Sequence, residues 1–268
     1  MQTPSYTELL RTTVRALIGH KSWPYRMAAF SVNMYWAARR EGGPGLALLR
    51  LRHKHGADVT LRLRSLAHPI TVRPGSQDVG AIMNNVVRQE YGQLDATFVP
   101  ATVVDAGAYI GDTAAYFLTR FPSARVLALE PNRESYKRAY QNLGAYGDRV
   151  VLLDRALWDR ETELRLSGGQ TGAAITADGD HVIQTITIPE IMSRLNVDTI
   201  DLLKLDIEGA ESTVVPSGVG GWLRCIRKLL LETHGAPIEQ HLIPLLTKER
   251  FRCTRHRNVW YCDNLRFG

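Results

Sequence analysis

Two rhythms of apolar and polar residues run along this chain. Residues 59–63 read Val-Thr-Leu-Arg-Leu and residues 69–72 continue the alternation, so each predicts a half-buried strand. Residues 78–91 predict a helix with Asp78 near its start. From residue 102 the rhythm changes. Short apolar runs at 102–105, 125–130, 149–153, 200–206 and 228–233 predict buried strands. Stretches at 111–121, 132–143, 189–195 and 237–248 predict helices between them, and one more helix opens near Ala210. Segments 162–166 and 182–188 predict antiparallel strands added around a glycine-rich loop, and 251–254 with 259–262 predict a closing hairpin. This alternation predicts an α/β fold, with a mostly parallel sheet, helices on both faces and an antiparallel edge. Upstream, residues 1–40 read as helical, with Trp23, Tyr25, Phe30, Tyr35 and Trp36 as core or interface side chains. Gly42-Gly43-Pro44-Gly45 breaks that segment.

Composition narrows the reading. The chain has 268 residues, 44% hydrophobic and 22% charged, which suits a sizeable packed core and excludes collagen, coiled coil and wholesale disorder. No apolar run reaches the ~18 residues of a spanning helix. No signal-peptide pattern opens the sequence, so a cytoplasmic location is expected. The net charge of +6 is uneven: residues 1–73 hold 12 Lys+Arg against 3 Asp+Glu, and the remainder is mildly acidic. The chain is accordingly divided into a basic, aromatic extension, 1–73, expected to serve as a substrate lid or oligomer contact, and a main domain, 74–268. The extension lacks basic–aromatic alternation and any finger or helix-turn-helix signature, so no nucleic-acid partner is expected. A homodimer stays open. Cys225, Cys253 and Cys262 form no Cys-x-x-Cys pair, which predicts reduced thiols rather than a zinc site or a disulfide framework.

The sharpest local signal is Asp105-Ala-Gly107-Ala-Tyr109-Ile110-Gly111-Asp112-Thr113, which follows a strand and opens a helix. Gly107 permits a tight turn, and Gly111 lets backbone approach a ligand closely at the helix N-terminus. Glu130, before Pro131 and Asn132, ends the next strand, where a carboxylate can accept hydrogen bonds from both ribose hydroxyls. A dinucleotide loop wants Gly-x-Gly-x-x-Gly. Here the spacing is Gly107-x-x-x-Gly111, with Asp105 just before it. An anion there repels a pyrophosphate and welcomes a cation such as the ammonium of a methionine moiety. The loop therefore predicts S-adenosylmethionine, with a nicotinamide cofactor as the alternative.

That loop, Glu130-Pro131-Asn132, and Leu203-Lys204-Leu-Asp206-Ile-Glu208-Gly209-Ala-Glu211 together resemble the FkbM family of S-adenosylmethionine-dependent methyltransferases. Pro69-Ile-Thr-Val-Arg73-Pro-Gly-Ser-Gln-Asp78 and Glu90-Tyr91 resemble its N-terminal signature, and Leu231-Glu232-Thr-His234 its fifth-strand ending. Residues 1–55 carry none of the resemblance. The resemblance implies a class I methyltransferase fold, a Rossmann-like seven-stranded sheet with an antiparallel last strand. It also implies O-methylation of a hydroxyl on a sugar, glycan or other natural product, with S-adenosylhomocysteine as the second product. Tyr109 departs from the family's small or Asn residue, and could pack over the cofactor or narrow the pocket.

In open α/β sheets, ligands bind outside the C-terminal strand ends. Asp105/Gly107, Lys204/Asp206/Glu208 and Glu232/His234 converge there, and the two-residue period puts Lys204, Asp206 and Glu208 on one strand face. A methyl group on a sulfonium is already activated, so the protein's task is to position the acceptor and remove its proton. His234, with an ordinary pKa of ~6.5, is the first candidate base and Asp206 the second. Lys204 joins the catalytic candidates, or merely ties the strand end to neighbouring carboxylates. A divalent metal in place of a base stays open, as does a module that binds the cofactor without turning it over. Asp154 and Ala156 follow the third strand, where class I methyltransferases usually seat the adenine. Asp78, Tyr91 and Glu208 are the substrate-side candidates, Asp78 and Tyr91 alternatively holding the small N-terminal sheet.

Overall fold

The computed structural model describes residues 23–167, 174–175 and 181–267. The chain divides into two compact units, Met1–Arg88 and Gln89–Gly268. In the first, α1 (Trp23–Trp36) runs through a wide helical turn, Ala37–Glu41, into α2 (Gly43–Arg50). Gly42 makes the corner at φ 65°, in the left-handed region that favours glycine. Two short strands, β1 (Val59–Leu61) and β2 (Ile70–Val72), pair antiparallel, and α3 (Asp78–Ile82) follows with another wide turn, Met83–Val87. The helix expected over 78–91 therefore ends early. Gln89 takes φ 52°, which a continuing helix does not allow, and Tyr91 falls on a turn beyond it. Of the core and interface readings of the α1 aromatics, the core one fails for Trp23, Phe30 and Tyr35, which are exposed. Trp23 is 72% and Phe30 54% exposed, and the buried side of the helix is made by the smaller Ala28 and Val32.

The second unit is built on a seven-stranded sheet. Its strands are β3 (Thr102–Ala106), β4 (Arg125–Leu129), β5 (Val150–Leu153), β10 (Ile200–Leu205), β11 (Ile226–Glu232), β12 (Phe251–His256) and β13 (Val259–Asn264). Their order is β12-β13-β11-β10-β3-β4-β5. The five strands from β11 to β5 run parallel, and β13 is antiparallel to both β11 and β12. The expected antiparallel last strand is thus one place in from the edge. All five residues of β3 are buried. Because successive strand side chains face opposite sides, both faces of the sheet are covered there.

The helices of this unit have readable stop and start signals. Gly111, at φ 81°, precedes α4 (Asp112–Arg120). Asn132 caps α5 (Arg133–Leu143) by accepting from the amides of Glu134 and Ser135. Thr187 caps α6 (Ile188–Leu195), which ends on Asn196 in a left-handed conformation. Two more helices, α7 (Glu211–Ser217) and α8 (Ala236–Lys248), follow β10 and β11. Leu203, Leu205, Leu229 and Leu231 of the two central strands pack with Ile191 and Leu242 in one core.

A smaller sheet holds β6 (Arg155–Leu157), β7 (Glu163–Ser167), β8 (Ala174–Ile175) and β9 (His181–Ile186) in the order β6-β9-β7-β8. The antiparallel β7/β9 pair was expected, while β6, parallel to β9, is too short to announce itself in sequence. The glycine-rich loop between β7 and β8 lies outside the described residues.

The cysteine expectation is overturned. Register places Cys253 of β12 directly opposite Cys262 of β13, their Cα atoms 4.0 Å apart, and the two are joined in a disulfide. Sequence spacing hides this pair because nine positions separate the two residues and the hairpin alone makes them neighbours. Cys225 is free. Titration of thiols in denaturant should find one reactive thiol per chain before reduction and three after it. Three before reduction would place Cys253 and Cys262 in the reduced state.

Candidate functional site

The sheet reverses its winding at β3, from which β4 and β5 lie to one side and β10 and β11 to the other. A crevice is expected outside the strand ends at such a point. The loop leaving β3 fills this position. Gly107 sits at φ 82°, and a Cβ there would lie 1.9 Å from the Asp206 carbonyl oxygen, so no other residue fits without moving backbone. Its amide and that of Ala108 donate to the Leu129 carbonyl at 3.1 and 2.8 Å, tying the loop to β4. Gly111, also left-handed, packs where a Cβ would come within 2.9 Å of Leu143. The Asn142 side chain donates to the Ile110 carbonyl at 2.9 Å from α5. Tyr109 takes φ 51°, an uncommon conformation for a non-glycine residue. Ile110, Asp112 and Thr113 are buried at the start of α4.

Glu130 faces this loop. Its Oε2 accepts from the Tyr109 amide and its Oε1 from the Asn132 amide, each at 2.8 Å. Each carboxylate oxygen keeps a second lone pair. Burial pushes the Glu130 carboxyl up to about 7, and the Asn132 and Tyr109 amides pull against that rise. Pro131 carries the chain on to Asn132, whose side chain is spent on capping α5. Asp154 is exposed at the end of β5, and Ala156 is buried in β6.

Parallel register sets Lys204 of β10 beside Asp105 of β3. Both are buried. The Lys204 Nζ lies 3.2 Å from Asp105 Oδ1 and 3.6 Å from Asp206 Oδ2, and donates to the carbonyls of Gly107 at 2.7 Å and Ala106 at 3.3 Å. Burial opposes this charge, and Asp105 and Asp206 more than restore it, so the ammonium is held above its ordinary value. Burial raises the Asp105 carboxyl, with Lys204 working the other way.

The third part lies past the ends of β10 and β11. Glu211 is fully buried, and its carboxylate accepts from the amides of Ile207 at 2.8 Å and Gly209 at 2.9 Å. It thereby staples the turn in which Glu208 takes φ 54° and Gly209 φ 102°. The strand period accordingly stops at Asp206, and the turn instead brings Glu208 to His234. The His234 Nδ1 is 3.2 Å from Glu211 Oε1, and its Nε2 is 3.5 Å from both Asp206 Oδ1 and Glu208 Oε2. The Glu211 hydrogen bond leads in pushing the imidazole up to about 9; partial burial opposes it, and the charges of Glu211, Asp206 and Glu208 assist. His234 is therefore an imidazolium at neutral pH.

Two expected substrate contacts are engaged within the protein. The Asp78 carboxylate is taken by Arg73 through its backbone N–H and Nε at 2.9 Å and its Nη2 at 2.7 Å, all within the N-terminal unit. Tyr91 is buried, with its hydroxyl 3.3 Å from Asp206 Oδ2 and 3.2 Å from Glu232 Oε2. Sequence reasoning places Glu232 among the converging strand ends but gives it, like Glu211, no catalytic, cofactor or substrate role. Glu211 had a signal, as the last acid of the Lys204 string, whereas the role of Glu232 depends on a tyrosine 141 residues away. Among the described residues, no group of His, Cys, Asp and Glu side chains converges in a form that could hold a metal ion. No helix among them is long and apolar enough to cross a membrane.

The 2-O-methyltransferase NoeI of Sinorhizobium fredii is 26% identical over 138 residues, covering 43% of this chain and 56% of that protein. The hexuronic acid methyltransferase AglP of Haloferax volcanii is 24% identical over 150 residues, covering 54% and 61%. The chain thus spans less than two thirds of the length of these relatives. A crystal structure of methyltransferase FkbM from Methylobacillus flagellatus aligns with 85% of this chain and 60% of that one, at 16% identity and a TM-score of 0.47. The family model described as the methyltransferase FkbM domain matches residues 105–253, from the first acid of the glycine loop to the penultimate strand. By that match, which takes in more than half of its length, the chain belongs to the FkbM methyltransferase family.

Proposed function

We propose that this chain is an S-adenosylmethionine-dependent O-methyltransferase whose acceptor is a hydroxyl of a sugar or other natural product, and that Asp206 is its general base. The observation that carries the proposal is the convergence of the Gly107–Gly111 loop, the Glu130 carboxyl and the carboxylate-rich ends of β10 and β11. The residues fit the cofactor. The Gly107 turn has no room for a side chain, and the anionic surroundings suit a ligand that carries an ammonium and a sulfonium. Glu130 would receive the ribose hydroxyls through its remaining lone pairs. The names of NoeI and AglP, a 2-O-methyltransferase and a hexuronic acid methyltransferase, support a hydroxyl on a sugar as the acceptor class.

S-adenosylmethionine, when bound, supplies the activated methyl group. The chain's own residues hold and deprotonate the acceptor. A neutral hydroxyl that takes a methyl group becomes strongly acidic as the new bond forms, so a carboxylate suffices to take its proton. Asp206 has that form and is partly open to solvent. His234, raised to about 9, already carries the proton a base would need to accept. It serves instead as a cationic clamp on Asp206 and Glu208, leaving Glu208 as the substrate-side carboxylate. Lys204 is a positioning residue, because its ammonium is enclosed by the carbonyls and carboxylates it holds.

Incubation with methyl-labelled S-adenosylmethionine and a small-molecule extract of the producing cells should put label into a compound as a base-stable methyl ether. Asp206→Asn should lower that transfer about 100-fold or more while the protein still binds the cofactor product. Label in protein or nucleic acid, a base-labile ester, or an undiminished Asp206→Asn would each contradict the proposal.

His234 adds a stability signature. Because its folded value lies above the ordinary ~6.5, its contribution is fully present below that value and is lost as pH rises through about 9. Replacing His234 by Gln should therefore lower the melting temperature clearly at pH 6 and much less at pH 10. An equal deficit at both would mean that the charge is not what holds the ring.

A further inference from the structure

The Tyr91 hydroxyl stands between two carboxyl groups, 3.3 Å from Asp206 Oδ2 and 3.2 Å from Glu232 Oε2. A phenol has one proton to donate. If both carboxyls were ionised, one of them would face the bare oxygen of Tyr91, a repulsive contact in a place where Tyr91 is only 1% exposed. The tyrosine cannot swing away to relieve it. Its ring packs against Phe117, and the Lys204 ammonium lies 5.6 Å from the ring centre.

We propose that Glu232 carries a proton in the resting site and donates it to Tyr91 Oη, so that Tyr91 in turn donates to Asp206. The chain Glu232–Tyr91–Asp206 then has one direction, and it ends on the base with that base oriented. The inference rests on the assignment of Asp206 as base and adds two positioning residues to it. Glu232 and Tyr91 act through Asp206. In the transfer step the acceptor's proton moves to Asp206, and Glu232 and Tyr91 keep their own.

The surrounding charges decide which carboxyl holds the proton. Asp206 has two cations close by, Lys204 at 3.6 Å and His234 at 3.5 Å. Glu232 faces Asp206 and Glu90 as anions, Lys204 and His234 as cations, and the Tyr91 hydroxyl. Its burial and then the charges of Asp206 and Glu90 push its carboxyl up to about 8, with Lys204 and His234 pulling the other way. Burial, then Asp206 and Glu232, push the Tyr91 phenol well above its ordinary value, so it remains a donor throughout. When Glu232 ionises, two carboxylates compete for one phenolic proton and Asp206 loses its fixed donor.

Infrared difference spectroscopy between wild type and Glu232→Gln reads the proton directly and needs no acceptor. The expected result is a protonated-carboxyl band in the wild-type minus Glu232→Gln difference spectrum at neutral pH, lost as pH passes about 8. In turnover, Glu232→Gln, whose amide can still donate to Tyr91, should stay within about threefold of wild type and lose the alkaline fall in rate. Tyr91→Phe should lower kcat about tenfold or more with S-adenosylhomocysteine affinity unchanged. Absence of the band, or a Glu232→Gln as inactive as Asp206→Asn, would overturn the chain. The band in a protein whose transfer does not depend on Asp206 would remove the base assignment instead, leaving Glu232 protonated, so the two failures are distinguishable.

Discussion

One buried ammonium governs this site. Lys204 lies in a central strand with both sheet faces covered, where an unpaired charge is among the most costly things a protein can hold. It is tolerated because two carboxylates and two carbonyls surround it, and those four partners are what a ligand at the strand ends would need held still. Asp105 begins the glycine loop, Ala106 and Gly107 are its first turn, and Asp206 is the acid at the end of β10. The ammonium thus fixes the relation between the loop and the acid. The missing Cβ of Gly107 completes the arrangement, since the loop then touches the Asp206 carbonyl with no space between them.

The remaining charges divide into held cations and tuned acids. His234 is kept protonated by Glu211 and draws Asp206 and Glu208 toward it. Glu130 and Glu232, both largely enclosed, are raised to about 7 and about 8. Both are thereby pushed toward the protonated form, in which a carboxyl can donate as well as accept. The surplus of carboxyls over fixed cations suits a ligand that brings positive charge of its own.

Much of this is legible in the amino-acid sequence. The glycine loop, the acid ending the next strand and the Lys204–Glu211 string each depend on local backbone rules, so spacing alone placed them. Strand–helix alternation fixed the fold class for the same reason. What was not legible depends on contacts between distant segments. His234 reads as a base from its ordinary pKa, and its three carboxylate neighbours, which raise it to about 9, are the reason the proposed reading gives that role to Asp206. The Cys253–Cys262 pair exists through a hairpin register, and the partnership of Tyr91 with Glu232 through the closing of the sheet. Glu208 reaches His234 by a route the strand period does not give: the period ends at Asp206, and a left-handed turn does the rest. For the aromatics of α1 the core and interface readings could not be separated in sequence, because hydrophobicity does not reveal which side of a helix finds a neighbour.

The most direct test of the account is calorimetry of S-adenosylhomocysteine with wild type and with the charge-neutral double variant Asp105→Asn/Lys204→Met, each checked for a cooperative melting transition. The account predicts one equivalent bound by wild type and an affinity at least about tenfold weaker in the folded double variant, about 1.4 kcal/mol. Equal affinity in both proteins, or no binding by folded wild type, would contradict it.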